Sequence, residues 1–151
     1  MENAAAAAVP EFSLGDLDAA DEASLNMVIG GTPSGWFWTF AGPGHQRTID
    51  QTNRLSKERL HRDAEIERKR NNGKQWKPEV ESPEDVRARN VAFVVERLIR
   101  WSPVKIAGAL LEFSPAAATA FLLDPRKGTF LAQAIEFLAD DKSFTQRSAT
   151  T

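Results

Sequence analysis

His45 to Asn72, HQRTIDQTNRLSKERLHRDAEIERKRNN, runs without a glycine or a proline. Most of its residues lose little on entering a helix, so the stretch predicts one long helix. Gly73 supplies the stop, and Arg68, Lys69 and Arg70 complement the carbonyl end of the helix dipole. The only apolar residues in the stretch are Ile49, Leu55, Leu60, Ala64 and Ile66. They are too sparse for a buried helix and hold no clean heptad. The first half is therefore expected to pack on a neighbouring hairpin. The second half is expected to project into solvent or against another chain.

What precedes the helix reads as that hairpin. Leu25, Met27 and Ile29 alternate with Ser24, Asn26 and Val28, and GGTPSG follows as a turn. Trp36, Trp38 and Phe40 then share one strand face, with Phe37 and Thr39 on the other. The two tryptophans are expected to be split, one inward, with the opposite face partly covered by the long helix. Gly42-Pro43-Gly44-His45 links strand to helix. It lacks the terminal Gly-Lys-Ser/Thr of a phosphate-binding loop, so a turn is the better reading, with His45 in a capping or surface role. If Gly44 uses a positive φ, Gly44→Val should disturb folding.

Downstream, residues 74–82 form a linker with an isolated Trp76. Ser82-Pro83-Glu84-Asp85 opens a helix expected to run to about Arg100, with Val86, Val91, Val94, Val95, Leu98 and Ile99 as its apolar stripe. Trp101-Ser102-Pro103 ends it. Val104–Phe113 reads as a small hairpin around Ala-Gly-Ala. Ser114-Pro115 and Asp124-Pro125 start two helices, Pro115–Leu123 and Pro125 to about Ala139. The resulting fold class is α+β: a mainly helical single domain with an N-terminal β-hairpin, one long charged helix and a short second hairpin. Residues 1–22 are expected to be a flexible acidic arm with a short docking motif around EFSLGDL. Residues 23–142 make the domain, with the long helix at about 45–72 and the linker at 73–82. Residues 143–151 make a polar tail.

Charge is segregated along the chain. Residues 1–44 hold six acids and no base, and residues 45–78 hold ten bases and five acids, although the whole chain is at −2. The basic run Arg62–Pro78, with Trp76 inside it, could contact phosphate and stack a base, but interspersed acids dilute it, and nucleic acid is not the expected partner. Cysteine is absent, which removes thiolate chemistry and disulfides. No run approaches the ~18 apolar residues of a membrane helix, and the alanine run near the start has no basic region before it, so neither a span nor a signal peptide is expected. His45 and His61 lie about 24 Å apart on one helix and cannot share an ion. Asp140-Asp141 sits at a helix end facing solvent. No nucleophile elbow occurs. Neither enzyme activity, metal nor cofactor is expected.

The segment GWFWTFAGPGH, the charged helix after it, and the later Trp101-Ser102-Pro103, Phe113-Ser114-Pro115, Leu122-Leu123-Asp124-Pro125 and Phe144 resemble a group of small tailed-phage and prophage proteins, the tail assembly chaperones. The likeness spans about residues 24–147 and rests on caps and turns. Ala116-Ala117-Ala118 departs from it, since members are more polar after the Ser-Pro. The resemblance implies a non-catalytic protein of the host bacterial cytoplasm. It would bind the tape-measure protein, keep its helices from aggregating, help recruit tail-tube protein, and leave before the virion is finished. A homo-oligomer is left open. Trp36, Phe37, Trp38, Leu60, Ile66, Trp76 and Trp101 are the candidate partner-binding residues, with the Val91–Ile99 face as a further source of apolar anchors. Two alternatives stay open: a permanent minor tail or connector protein, and a nucleic-acid-binding accessory.

Overall fold

The computed structural model describes residues 8–78 and 80–145. A helical turn, α1 (Leu14–Leu17), precedes β1 (Glu22–Ile29) and β2 (Thr32–Ala41). Two longer helices follow, α2 (Gln46–Asn71) and α3 (Pro83–Arg97), and then three short strands, β3 (Leu98–Trp101), β4 (Val104–Ile106) and β5 (Ala109–Leu111). The chain closes with α4 (Pro115–Leu123), a 3-10 turn at Pro125–Lys127, α5 (Gly128–Ala139) and a second 3-10 turn at Asp141–Phe144. The result is a mixed α+β domain with its hairpin, long helix and second hairpin where the residue pattern placed them.

β1, β2 and β3 form an antiparallel sheet in that order. The first turn is tighter than GGTPSG suggests. Gly30 and Gly31 both take positive φ, 62° and 81°, which is the two-residue turn that suits the twist of a hairpin. Thr32 to Gly35 are already strand, and a register shift between Asn26 and Val28 absorbs the difference. The last turn expected of α3 is instead β3. Leu98 pairs with Phe40 and Trp101 with Trp38, so the helical spacing of Leu98 and Ile99 yields to sheet pairing.

One face of the sheet is the core. Ala23, Met27, Trp36, Trp38, Phe40, Leu98 and Trp101 pack against Val91 and Val94 of α3, Ala118 and Leu122 of α4, and Leu131 and Ala134 of α5. The two strand tryptophans are therefore not split: both face inward, because three helices cover that side. Their rings meet edge to face 5.2 Å apart, and Trp101 lies 5.1 Å from Trp38. Trp36 Nε1 donates to Ser102 O at 3.0 Å. The opposite sheet face is polar and internally paired. Glu22 bonds Arg100, the Ser24 and Thr39 hydroxyls meet at 2.8 Å, and Asn26 accepts from Gly35 N. α2 does not lie over this face. It packs on α3, with Gln51 donating to Phe93 O and to Glu96, and it touches the end of the hairpin where Thr48 Oγ1 donates to Ala41 O.

The caps follow the residues that predicted them. Ser82 and Asp85 form a reciprocal capping box, Ser114 accepts from Ala117 N, and His45 Nδ1 accepts from Arg47 N. Gly73, at φ 74°, terminates α2. Asp124 caps the turn before α5. Side-chain bonds from Arg126 and Lys127, with a further one from Arg126 N, hold its carboxyl well below the usual carboxylate range. A carboxyl depressed on folding stabilises above its unfolded pKa, about 3.9, and loses that contribution as pH falls through its folded value. Asp124→Asn is thus expected to flatten the acid limb of the urea midpoint against pH below about pH 4.

Ala20, Asp21 and Phe144 are more tightly built in than an arm and a tail imply. Ala20 is buried and donates from its N–H to Phe144 O at 2.6 Å, and Gly42 N donates to Asp21 O at 2.7 Å. Phe144, expected in the tail, is 3% exposed and packs on Phe137. Residues 8–19 are exposed. Of the alanine run, Ala4–Ala8, the first four residues lie outside the described residues.

The outer edge of β1 is closed by a side chain. Gln133 of α5 accepts from Val28 N at 2.8 Å and donates to Val28 O at 3.0 Å, doing what a neighbouring strand would do. Gln133→Ala is expected to cost about 1 kcal/mol in urea denaturation. It should also raise concentration-dependent association through the freed edge.

Candidate functional site

α2 is 26 residues long, about 39 Å at 1.5 Å per residue, and only its first turns are engaged by the domain. Thr48 and Gln51 are buried, and Arg54 forms an ion pair with Glu96 of α3. The Arg54 side chain, followed by Gln51, pulls the Glu96 carboxyl below its ordinary range against the opposing effect of burial. Beyond that point the face of α2 that pointed at α3 continues as Arg62, Ile66 and Lys69, at helical spacing.

Because this face has left the domain, the returning linker covers it. Trp76, Lys77 and Pro78 come back beside α2 and leave an open groove of about 730 Å³, in which Ile66 and Trp76 supply the apolar surface. Two ion pairs flank it, Glu65 with Arg68 and Glu81 with Arg89. Arg62, Lys69 and Lys77 have no ion-pair partner among the described residues. The groove is therefore amphipathic and net basic, suited to an amphipathic segment with some acidic residues.

The candidate binding residues divide into two sets. Trp36, Trp38 and Trp101 are 5%, 0% and 4% exposed and belong to the core, so no partner can reach them in the folded state. They are corrected to structural residues. The Val91–Ile99 face is likewise spent inside the domain, with Val91, Val94 and Leu98 buried. Phe37 is exposed on the polar sheet face, and Leu60 is exposed on α2. Ile66 is half-buried and Trp76 is 37% exposed. The structure brings Ile66 and Trp76 together; Leu60 lies around the helix from them, and Phe37 is on a separate element. Leu55, Ile106 and Leu110 are exposed apolar residues not singled out by pattern alone. The last two sit on the β4–β5 hairpin, turned by Ala107 and Gly108 at φ 52° and 81°.

The polar residues weighed for chemistry have local structural roles. His45 caps α2, and Asp140 Oδ1 accepts from Lys142 N at the start of the final turn. Among the described residues no group of three or more His, Cys, Asp or Glu could hold a metal ion. No helix among them is long and apolar enough to cross a membrane. No protein-family model, curated protein or solved structure matches the chain.

Proposed function

We propose that the protein is a tail assembly chaperone of a long-tailed phage. In this reading it is non-catalytic, works in the host bacterial cytoplasm, binds the tape-measure protein and helps recruit tail-tube subunits. The observation that carries it is the outer half of α2. A long helix stands clear of the core and carries Leu60 and Ile66, with Trp76 laid beside it by the linker. A holding protein needs apolar anchors that a helical client can reach without unfolding the holder, and charged surroundings that keep those anchors soluble when empty. The resemblance of its capping and turn motifs to those of the tail assembly chaperones supports the same reading.

Co-expression with the cognate tape-measure protein tests the reading. The soluble fraction of the client should rise with the wild-type chain. It should fall back with a Leu60→Glu, Ile66→Glu, Trp76→Ala variant, whose own stability should change by no more than about 1 kcal/mol. A client that stays insoluble with the wild-type chain would end the proposal. Stoichiometric presence in purified virions would instead make the protein a minor tail or connector component.

A further inference from the structure

Arg97 is a buried cation with no ion pair among the described residues. It is 8% exposed, and its Nε and Nη2 both donate to Ala41 O, at 3.1 and 2.7 Å. Its guanidinium lies 5.9 Å from the Phe144 ring. Nη1 is left without a hydrogen-bond partner among the described residues. Burial pushes its pKa down from the ordinary value, the sign of a desolvated charge. Buried guanidinium groups are ordinarily paired.

Arg97 lines a notch of about 260 Å³ between α2 and α3. Thr52, Ser56 and Arg59 of α2 form its polar wall, and Leu55 and Phe93 its apolar one. No acidic side chain among the described residues lines it. The nearest acid along α3, Glu96, is already held by Arg54 and Gln51. Two guanidinium groups, two hydroxyls and an apolar wall suit a carboxylate carried next to an apolar side chain.

A segment of that chemistry starts close by. The arm is anchored at Ala20, whose N–H is held by Phe144 O, and the Phe144 ring is the one beside Arg97. Upstream lies Glu11-Phe12-Ser13-Leu14-Gly15-Asp16-Leu17-Asp18, in a stretch with no basic residue. Phe12, Leu14 and Leu17 are each at least 64% exposed. The span also matches. Thr52 to Arg59 lie about 9–20 Å along α2 from its start. Leu17 to Phe12, three to eight residues before the anchor, can reach about 10–22 Å from it with the α1 turn kept.

We propose that this notch is the docking site of the chain's own acidic arm. Glu11–Asp18 folds back on its fixed root, a carboxylate meets Arg59 and Arg97, and an arm apolar residue lies on Leu55 and Phe93. The arrangement with residues 8–19 exposed is the open state, and docking closes it. The inference stands on the arm and the α2–α3 junction and does not rest on the assembly reading.

The absence of native cysteine allows one reporter. A spin label on Pro10→Cys, in an isotope-labelled chain diluted into excess unlabelled protein, reports contacts of its own chain only. Amide signals of Thr52–Arg59 and Phe93–Arg97 are expected to broaden in about 0.02 M salt. The broadening should be lost in Arg59→Glu and in about 0.5 M salt, where the Debye length has fallen to about 4 Å. Arg59 is exposed, so that variant keeps its fold. Broadening that is absent, or that persists unchanged in Arg59→Glu, overturns the proposal. So does broadening seen only when the spin label and the isotope are on different chains, which would make a second copy the occupant.

Discussion

Gly42→Ala is expected to destabilise the fold by about 3 kcal/mol or more, the largest effect of a Cβ added at any glycine of the described residues. A Cβ at this position would sit 2.0 Å from Ala20 O and 3.1 Å from a ring carbon of Phe144. The carbonyl cannot swing away. Its residue is tied by its own N–H to Phe144 O, and the next residue, Asp21, accepts from Gly42 N. One glycine thus lets three segments meet: the root of the arm, the end of β2 and the C-terminal turn. Gly44 is the contrast. It has no positive φ, and a Cβ there would make an ordinary 3.6 Å contact with Asp21 Oδ1. Gly44→Ala should therefore change stability by no more than about 0.5 kcal/mol. Urea midpoints of the two variants decide the matter: a Gly42→Ala protein within about 1 kcal/mol of wild type would mean that the junction opens freely.

Gly42 and Gly44 also show what a sequence can and cannot convey. Gly-Pro-Gly-His announced a turn, and a turn is there. Which glycine lacks room for a side chain depends on Ala20 and Phe144, residues distant in the chain, and no local pattern carries that information. Caps were legible because their chemistry is local: Ser82, Ser114, Asp124 and His45 each bond a backbone N–H two or three residues ahead. β3 was not. Val91, Val94, Val95 and Leu98 keep helical spacing, and only pairing with Trp38, Thr39 and Phe40 turns the chain into strand at Leu98. Phe144 looked like part of a polar tail because one aromatic among charged neighbours gives no periodicity. The site divides in the same way. The sparse apolar content of α2 foretold a projecting half. That Trp76 returns to Ile66 depends on the path of the linker, which composition does not specify.

Replacing Arg97 separates its charge from its bulk, and Arg97→Ala is expected to cost about 3 kcal/mol. That change deletes both guanidinium donors to Ala41 O and leaves a void beside Phe144 and Phe93. Arg97→Met should cost only about 1 kcal/mol. The methionine refills the stem volume against the Phe144 ring and removes a desolvated charge that has no ion pair among the described residues. Ala41 O is not orphaned by this change, because Thr48 Oγ1 still donates to it at 3.3 Å. The pair Arg97→Met and Thr48→Val takes that last donor away, and its combined cost should exceed the sum of the two single costs. Arg97→Lys should fall between methionine and alanine, since an ammonium carries its charge at one point and cannot reproduce the fork that grips one carbonyl with two N–H groups. If methionine proves as damaging as alanine in urea denaturation, the guanidinium itself is required at the junction. Its charge would then be matched by a group the folded domain brings to it, in the manner proposed for the acidic arm.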